Sequence, residues 1–304
     1  MQMITSKNVF HIIRKTLNLV DMRLVTHGER VAFILYKMLQ YQGMACDKRM
    51  LEFVILAALS QNIFLQELEN LFQYDIFDDK EKNNFLHMIA YAIDFRSDFM
   101  VAHTVTTVCV SWEIASLLQF PWDTKSKLYY GALLHDIGKV AIPIEVLEKE
   151  GKLTSEEMDM MRRHVLFTEE ILKDFVPPDI YRIAVRHHEK MDGSGYPKGL
   201  DGTQLSAEER IVAIADIMSA LLQKRSYKEA FSREKTMGIL LEMKKENKIC
   251  PCITDYVLDN FPQIIEKVEQ RTHEFLKIYQ GMKQEYLELI SFHIQGNSRG
   301  YGCV

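Results

Sequence analysis

The run IVAIADIMSALL at 211–222 sets an ionisable carboxylate, Asp216, inside an otherwise apolar helical pattern. Burying an ionised carboxylate costs on the order of several kcal/mol unless it is paired or bound to a metal. Whatever fold the chain adopts must therefore bring a cation to the middle of a buried helix. An arginine would satisfy Asp216 as well as a metal ion would, and the residue alone does not choose between them.

The rest of the chain reads as helix. Apolar residues fall at 31, 34, 35, 38 and 39 in RVAFILYKML, and positions 180, 183, 184 and 187 share one face of IYRIAVRHH. No hairpin series and no strand–helix alternation occurs, so the expected class is all-α. The polar run DDKEKNN at 78–84 is a candidate boundary. We expect a smaller helical domain at 1–90, a main domain at 91–262, and a terminal helix and tail at 263–304. THEFLKIYQGMKQEYLELISF (272–292) reads as one amphipathic helix, with Leu276, Tyr279, Met282, Tyr286 and Ile290 on its stripe.

An internal repeat links the two halves. THGERVAFILYKML (26–39) followed by AALSQNI (57–63) parallels AHTVTTVCVSWEIA (102–115) followed by GALLHDIG (131–138). Gln61 and Asn62 then stand where the second copy has His135 and Asp136. Amides are poor metal ligands, so the first copy would keep the packing and lose the chemistry.

A net charge of −5 argues against a general surface for DNA or RNA duplexes. Five scattered cysteines, an odd count, argue against a disulfide framework and for a reducing compartment. No apolar run approaches the roughly 18 residues of a membrane span, and MQMITSKNVFHII lacks the apolar core of a signal peptide. The expectation is a cytoplasmic protein.

Five of the ten histidines, His103, His135, His164, His187 and His188, lie within 103–188, together with Asp136. A lone helical histidine, an HD dipeptide or an HH pair is common; the combination is not. Five imidazoles and two carboxylates are too many for one six-coordinate ion and suit two, with a carboxylate bridging. Ligation by N and O without thiolate favours iron or manganese, with nickel or cobalt as further choices, over a structural zinc. If His187 and His188 end a helix, their side chains diverge by about 100°, which suits two metals, or a metal and a substrate, better than one ion. In the loop that follows, Gly193 and Gly195 would let a ligand approach the backbone. Glu189 and Asp192 are candidates to orient the ligating imidazoles.

The ordered series HDIGK (135–139), LTSEEMDMMRRH (153–164), HHEKMDGSGYP (187–197) and RIVAIADIMSALLQKRSYKEA (210–230) resembles the HD-GYP family of bacterial cyclic-dinucleotide phosphodiesterases, within the HD phosphohydrolase superfamily. The likeness covers roughly residues 95–262, and the N-terminal copy then reads as a degenerate HD-like domain with a regulatory or dimerisation role.

The resemblance implies an HD-domain helical bundle and two divalent metals. His103, His135, Asp136 and Asp216 would gather around one; Asp136 would bridge to a second held by His164, His187 and His188. Lys139 would contact the scissile phosphate, Arg225 and Lys228 would grip the substrate, and Tyr196 would stack on a base. The implied reaction is hydrolysis of cyclic di-GMP to linear pGpG, with GMP from a second cut, by a metal-bridging hydroxide. The alternatives are a 3′3′-cyclic GMP-AMP phosphodiesterase and a cyclic-dinucleotide receptor with little turnover. The N-terminal domain and the terminal helix are the two candidate homodimer surfaces.

The chain departs from the family at four places. Phe99 stands where some members carry a third-metal glutamate, so two metals are expected. Ser219 replaces the second aspartate of a D-x-x-D-A pattern, removing a carboxylate near Lys139. Val165 replaces a proline and Thr168 a glycine.

Overall fold

The computed structural model describes residues 102–223 and 230–298, with scattered positions at 4–5, 8–9, 11–12, 15–16, 19, 82–83, 86–87, 90 and 93–94. The repeat with Gln61 and Asn62, most of the expected 1–90 domain, Phe99, Arg225 and Lys228 lie outside the described residues. Helices dominate: α1 (His103–Leu117), α2 (Trp122–Leu134), α3 (Ile144–Leu147), α4 (Ser155–Arg162), α5 (His164–Leu172), α6 (Pro178–Val185), α7 (Ala207–Leu222), α8 (Arg233–Lys245), α9 (Pro251–Asp259) and α10 (Phe261–Ser298). A 3-10 helix spans Ile137–Ala141. Among the described residues the only β pairing is a single bridge between Asp192 and Asp201, and no helix is long and apolar enough to cross a membrane.

Local sequence chemistry sets the helix starts. Thr154 with Glu157 and Ser206 with Glu209 form reciprocal capping boxes at α4 and α7. Pro178 and Pro251 enter α6 and α9 in the first turn, where no amide donor is missed.

The core joins α1, α2, α6 and α7 to the last helices. Val110 and Ile114 meet Leu128 and Ala132, Ile183, and Ile211, Ile214 and Met218, all buried. Beneath them pack Ile253, Val257, Phe261, Ile264 and Ile265. The terminal helix therefore begins at Phe261, eleven residues ahead of the expected 272, because its first apolar residues belong to this core. Asp216 lies on the buried side of α7 as its neighbours require. The carboxylate of Glu209 on α7 accepts from Arg186 at 3.1 and 3.2 Å, which ties the chain just past α6 to the helix carrying Asp216.

Helix α6 stops at Val185, three residues earlier than IYRIAVRHH implies. Arg186 has φ −116° and ψ 8°, off the helical path. His187 and His188 thus lie in a turn, and the 100° divergence of adjacent helical residues does not apply to them.

Candidate metal centre

Three of the expected ligands lie just past helix ends: His135 after α2, His164 after α4 and His187 beyond α6. The last carbonyls of a helix have no partner within it. Each imidazole takes one, with Nδ1 at 2.7 Å from Ala132 O, 2.6 Å from Met161 O and 2.7 Å from Ala184 O. A carbonyl only accepts, so Nδ1 carries the proton and Nε2 presents a lone pair. His103 opens α1 and has a different partner: Ser219 Oγ lies 2.9 Å from its Nδ1 and donates to its carbonyl at 3.1 Å.

These lone pairs converge on Asp136. His103 Nε2 and His135 Nε2 lie 3.3 Å apart, each 3.2 Å from Asp136 Oδ2. His164 Nε2 and His187 Nε2 also lie 3.3 Å apart, at 3.3 and 3.9 Å from Asp136 Oδ1. Asp216 Oδ1 is 3.1 Å from His103 Nε2, and its Oδ2 is 3.5 Å from His188 Nδ1. Two ligand groups result, His103–His135–Asp136 and His164–His187–His188, with the ligand atoms of each within 4.8 Å of one another. Both histidines of the pair join His164, because the chain has left the helix by that point.

The donor set fits metal ions. Imidazole lone pairs face one another and carboxylate oxygens in both groups, with the Lys139 ammonium beside Asp136 Oδ2, and Asp136 Oδ1 is buried with no hydrogen-bond partner. Such an arrangement is repulsive unless cations lie within it. Two nitrogens bound at about 2.1 Å to one ion lie at most about 4 Å apart, and both pairs meet that limit. The donors are nitrogen and oxygen without sulfur, the set that suits iron, manganese, nickel or cobalt.

The protonation states agree. Burial pushes His164 down to about 4 and His188 to about 3, and holds His187 well below the usual imidazole range. Burial pushes Asp136 upward, but His135, Lys139 and His103 more than reverse it, and the carboxyl lies well below its ordinary value. Asp216 is likewise held well below, its burial outweighed by His103 and His188. His135 moves the other way: burial lowers it, but the Asp136 carboxylate beside it raises it further.

A pH dependence follows. Unfolded histidines titrate near 6.5. Between that value and about 4 the unfolded chain binds protons that His164, His187 and His188 refuse when folded, so stability falls as pH falls. Asp94, pushed up to about 6 by burial, acts in the opposite sense within this window but is outnumbered, and His135, raised, acts only above 6.5. The melting temperature of the metal-free protein is expected to drop from about pH 6.5 to pH 4. A flat or rising profile in thermal melts over that range would contradict these assignments.

Other expected residues take different places. Lys139 is buried with its ammonium paired to Asp136 Oδ2. The Tyr196 ring lies 4.6 Å from the His188 ring at 31°, at the edge where His188 is 26% exposed. The Arg162 guanidinium stands over Tyr196 at 5.5 Å, a rim position the sequence reading missed although it lies in the quoted RRH. Glu189 and Asp192 do not orient imidazoles, since main-chain carbonyls do that for His135, His164 and His187. Buried Glu189 instead accepts from Lys198 N at 2.7 Å and Leu200 N at 2.9 Å, bracing the loop. Asp192 is exposed and accepts from Ser194 N and Oγ. Gly195 is required by the loop itself and not by a ligand: a Cβ there would lie 2.5 Å from Glu189 Cα and Lys190 N. Thr168 accepts from Gly138 N at 3.0 Å and donates to His135 O at 3.1 Å, joining the HD turn to α5. Buried Asp94, also missed, accepts from Thr104 N at 2.9 Å and so caps α1 one residue after His103.

The HD domain family matches residues 87–252. The cyclic di-GMP phosphodiesterase response regulator RpfG of Xanthomonas campestris pv. campestris is 39% identical over 54% of this chain and 44% of its own length. The 3′3′-cGAMP-specific phosphodiesterase 2 of Vibrio cholerae serotype O1 is 34% identical over 59% of this chain and 35% of its own. The chain therefore spans less than half the length of these curated relatives. Among solved structures, Bd1817, an HDG"Y"P protein from Bdellovibrio bacteriovorus, is similar at a TM-score of 0.47 and 17% identity, over 60% of this chain and 63% of that one. With the HD domain match covering more than half of the sequence and the HD pair and GYP loop both at the histidine cluster, the chain belongs to the HD domain family, in its HD-GYP group.

Proposed function

We propose that this chain is a metal-dependent phosphodiesterase that opens a cyclic dinucleotide, cyclic di-GMP first, to the linear pGpG. The observation that supports it most is the facing of imidazole lone pairs across both oxygens of Asp136, with the opposite ring nitrogens of His135, His164 and His187 held by carbonyls. His103, His135, Asp136 and Asp216 would hold one ion and His164, His187, His188 and the other oxygen of Asp136 the second. Two divalent transition ions, iron or manganese first, would polarise a phosphoryl oxygen and lower the pKa of water.

The protein's own groups do the rest. Asp136 faces one histidine group with each oxygen and so fixes the spacing of the two half-sites. Lys139 sets a positive charge beside that carboxylate, where it can meet charge developing on the phosphate. Tyr196 and Arg162 flank the edge where His188 is exposed and offer a ring and a cation to a base or phosphate. Arg225 and Lys228 are the proposed phosphate grips. Water adds to phosphorus, and the departing 3′-oxygen leaves with a proton.

The match to a 3′3′-cGAMP-specific relative makes that dinucleotide the second substrate to assay. Reduced, oxygen-free protein with manganese or ferrous ion is expected to convert cyclic di-GMP to the linear dinucleotide. Tight binding of both dinucleotides without product would replace the enzyme reading with that of a receptor.

A further inference from the structure

The four buried imidazoles of the cluster do not share one way of being oriented. His135, His164 and His187 each follow a helical turn and use its free carbonyl three residues back. His103 is the first residue of α1, so no turn of its own helix precedes it. Its Nδ1 must find an acceptor elsewhere. The only one recorded among the described residues is Ser219 Oγ at 2.9 Å, reached across 116 positions of sequence. The same hydroxyl lies 3.1 Å from His103 O. A serine has one proton to give. A carbonyl cannot give one, so the hydroxyl donates to His103 O and accepts from His103 Nδ1–H. That leaves Nε2 unprotonated and aimed at Asp136 Oδ2 and Asp216 Oδ1.

We infer that Ser219 is the positioning residue for His103: it sets the tautomer in which His103 can bind a metal. This rests on the two-metal reading above. Ser219 sits one turn beyond Asp216 on α7, so a single helix delivers a ligand and the group that orients its neighbour. Side-chain identity matters here. A carboxylate at 219 would accept from the imidazole but could not donate to the His103 carbonyl, whereas a hydroxyl does both. Position 219 thus governs His103, a role beyond the expected loss of a carboxylate near Lys139. Outer partners of ligating histidines typically change metal affinity about 10- to 100-fold when removed.

Ser219 also belongs to a polar seam between α7 and α1. One turn further on, Gln223 Nε2 donates to Ala102 O at 2.9 Å and to Thr106 Oγ1 at 2.6 Å, without touching the imidazole. Gln223→Ala therefore loosens the seam and leaves His103 alone, which makes it the control.

The test uses the full chain with manganese alone and has two readouts. Nitrogen-15 spectra of the metal-free protein, with the His103 signals assigned by their loss in His103→Gln, report the tautomer. Calorimetric titration with Mn²⁺ reports affinity. Wild type is expected to show His103 protonated at Nδ1. Ser219→Ala should give a mixed or Nε2-protonated ring and weaken one of two manganese sites about 10- to 100-fold. Ser219→Cys, nearly isosteric but a poor acceptor, should do the same if the alanine variant folds badly. Ser219→Thr should restore both readouts, and Gln223→Ala should leave them unchanged. Unchanged tautomer and affinity in Ser219→Ala, beside a wild type that binds two ions, would overturn the inference alone. Equal weakening by Gln223→Ala would overturn it too, assigning the effect to the seam. A wild type that binds no manganese would remove the metal reading beneath it.

Discussion

Asp136→Asn is expected to abolish loading of the metal pair and to lower phosphodiester hydrolysis by roughly 10³-fold or more. The substitution keeps the side chain's shape, so the fold should survive, as circular dichroism would verify. The chemistry does not survive. The carboxylate turns Oδ2 toward His103 and His135 and Oδ1 toward His164 and His187. An asparagine can offer an oxygen to one group only, and its amide would point N–H donors at the other. One half-site therefore loses an anionic ligand, and the other receives hydrogens where an ion should lie. Elemental analysis alongside a product assay measures both effects. Asp136→Asn protein with two ions per chain and undiminished turnover would show that Asp136 does not bridge.

Gly138→Ala is expected to be nearly as damaging, through packing. A Cβ at 138 would lie 2.0 Å from His164 O and 2.4 Å from Thr168 N. Both are backbone atoms and cannot swing aside as a side-chain tip would. Relief requires α5 to move away from the 3-10 helix, which parts His164 from Asp136. The stability cost should reach the upper end of overpacking effects, at least about 3 kcal/mol, and metal affinity should fall with it. Gly238→Ala is the matching control: nothing lies within 4 Å of its added Cβ, and it occupies the interior of α8. It should be neutral or stabilise by about 0.5–1 kcal/mol. Denaturant titrations of the two variants decide the point, and a Gly138→Ala midpoint equal to wild type would refute the close approach.

What could be read from the sequence, and what could not, divides by distance along the chain. The all-α class was visible because apolar periodicity is local: 180, 183 and 184 line one buried face of α6, as spaced. Asp216 announced itself because a carboxylate in an apolar helix needs a cation, whatever the fold. The grouping of His103 with His135 and of His164 with His187 came from family likeness, since no local rule joins residues 23 to 32 positions apart. The role of Glu189 was misread, and the contact of Ser219 went unseen, for the same reason. Glu189 looked like an imidazole partner because it follows the HH pair, yet its oxygens turn to amides nine and eleven residues later. Ser219 looked like a lost charge, although its hydroxyl meets a ring on another helix. The end of α6 at Val185 was hidden because no glycine or proline marks it.

Anomalous X-ray scattering from crystals grown anaerobically with ferrous or manganous ion would locate any bound metal directly. The account predicts two peaks, one among His103, His135 and Asp216 and one among His164, His187 and His188, with the Asp136 carboxylate between them. Crystals that show no peak there, or a single peak leaving either histidine group without an ion, would contradict it.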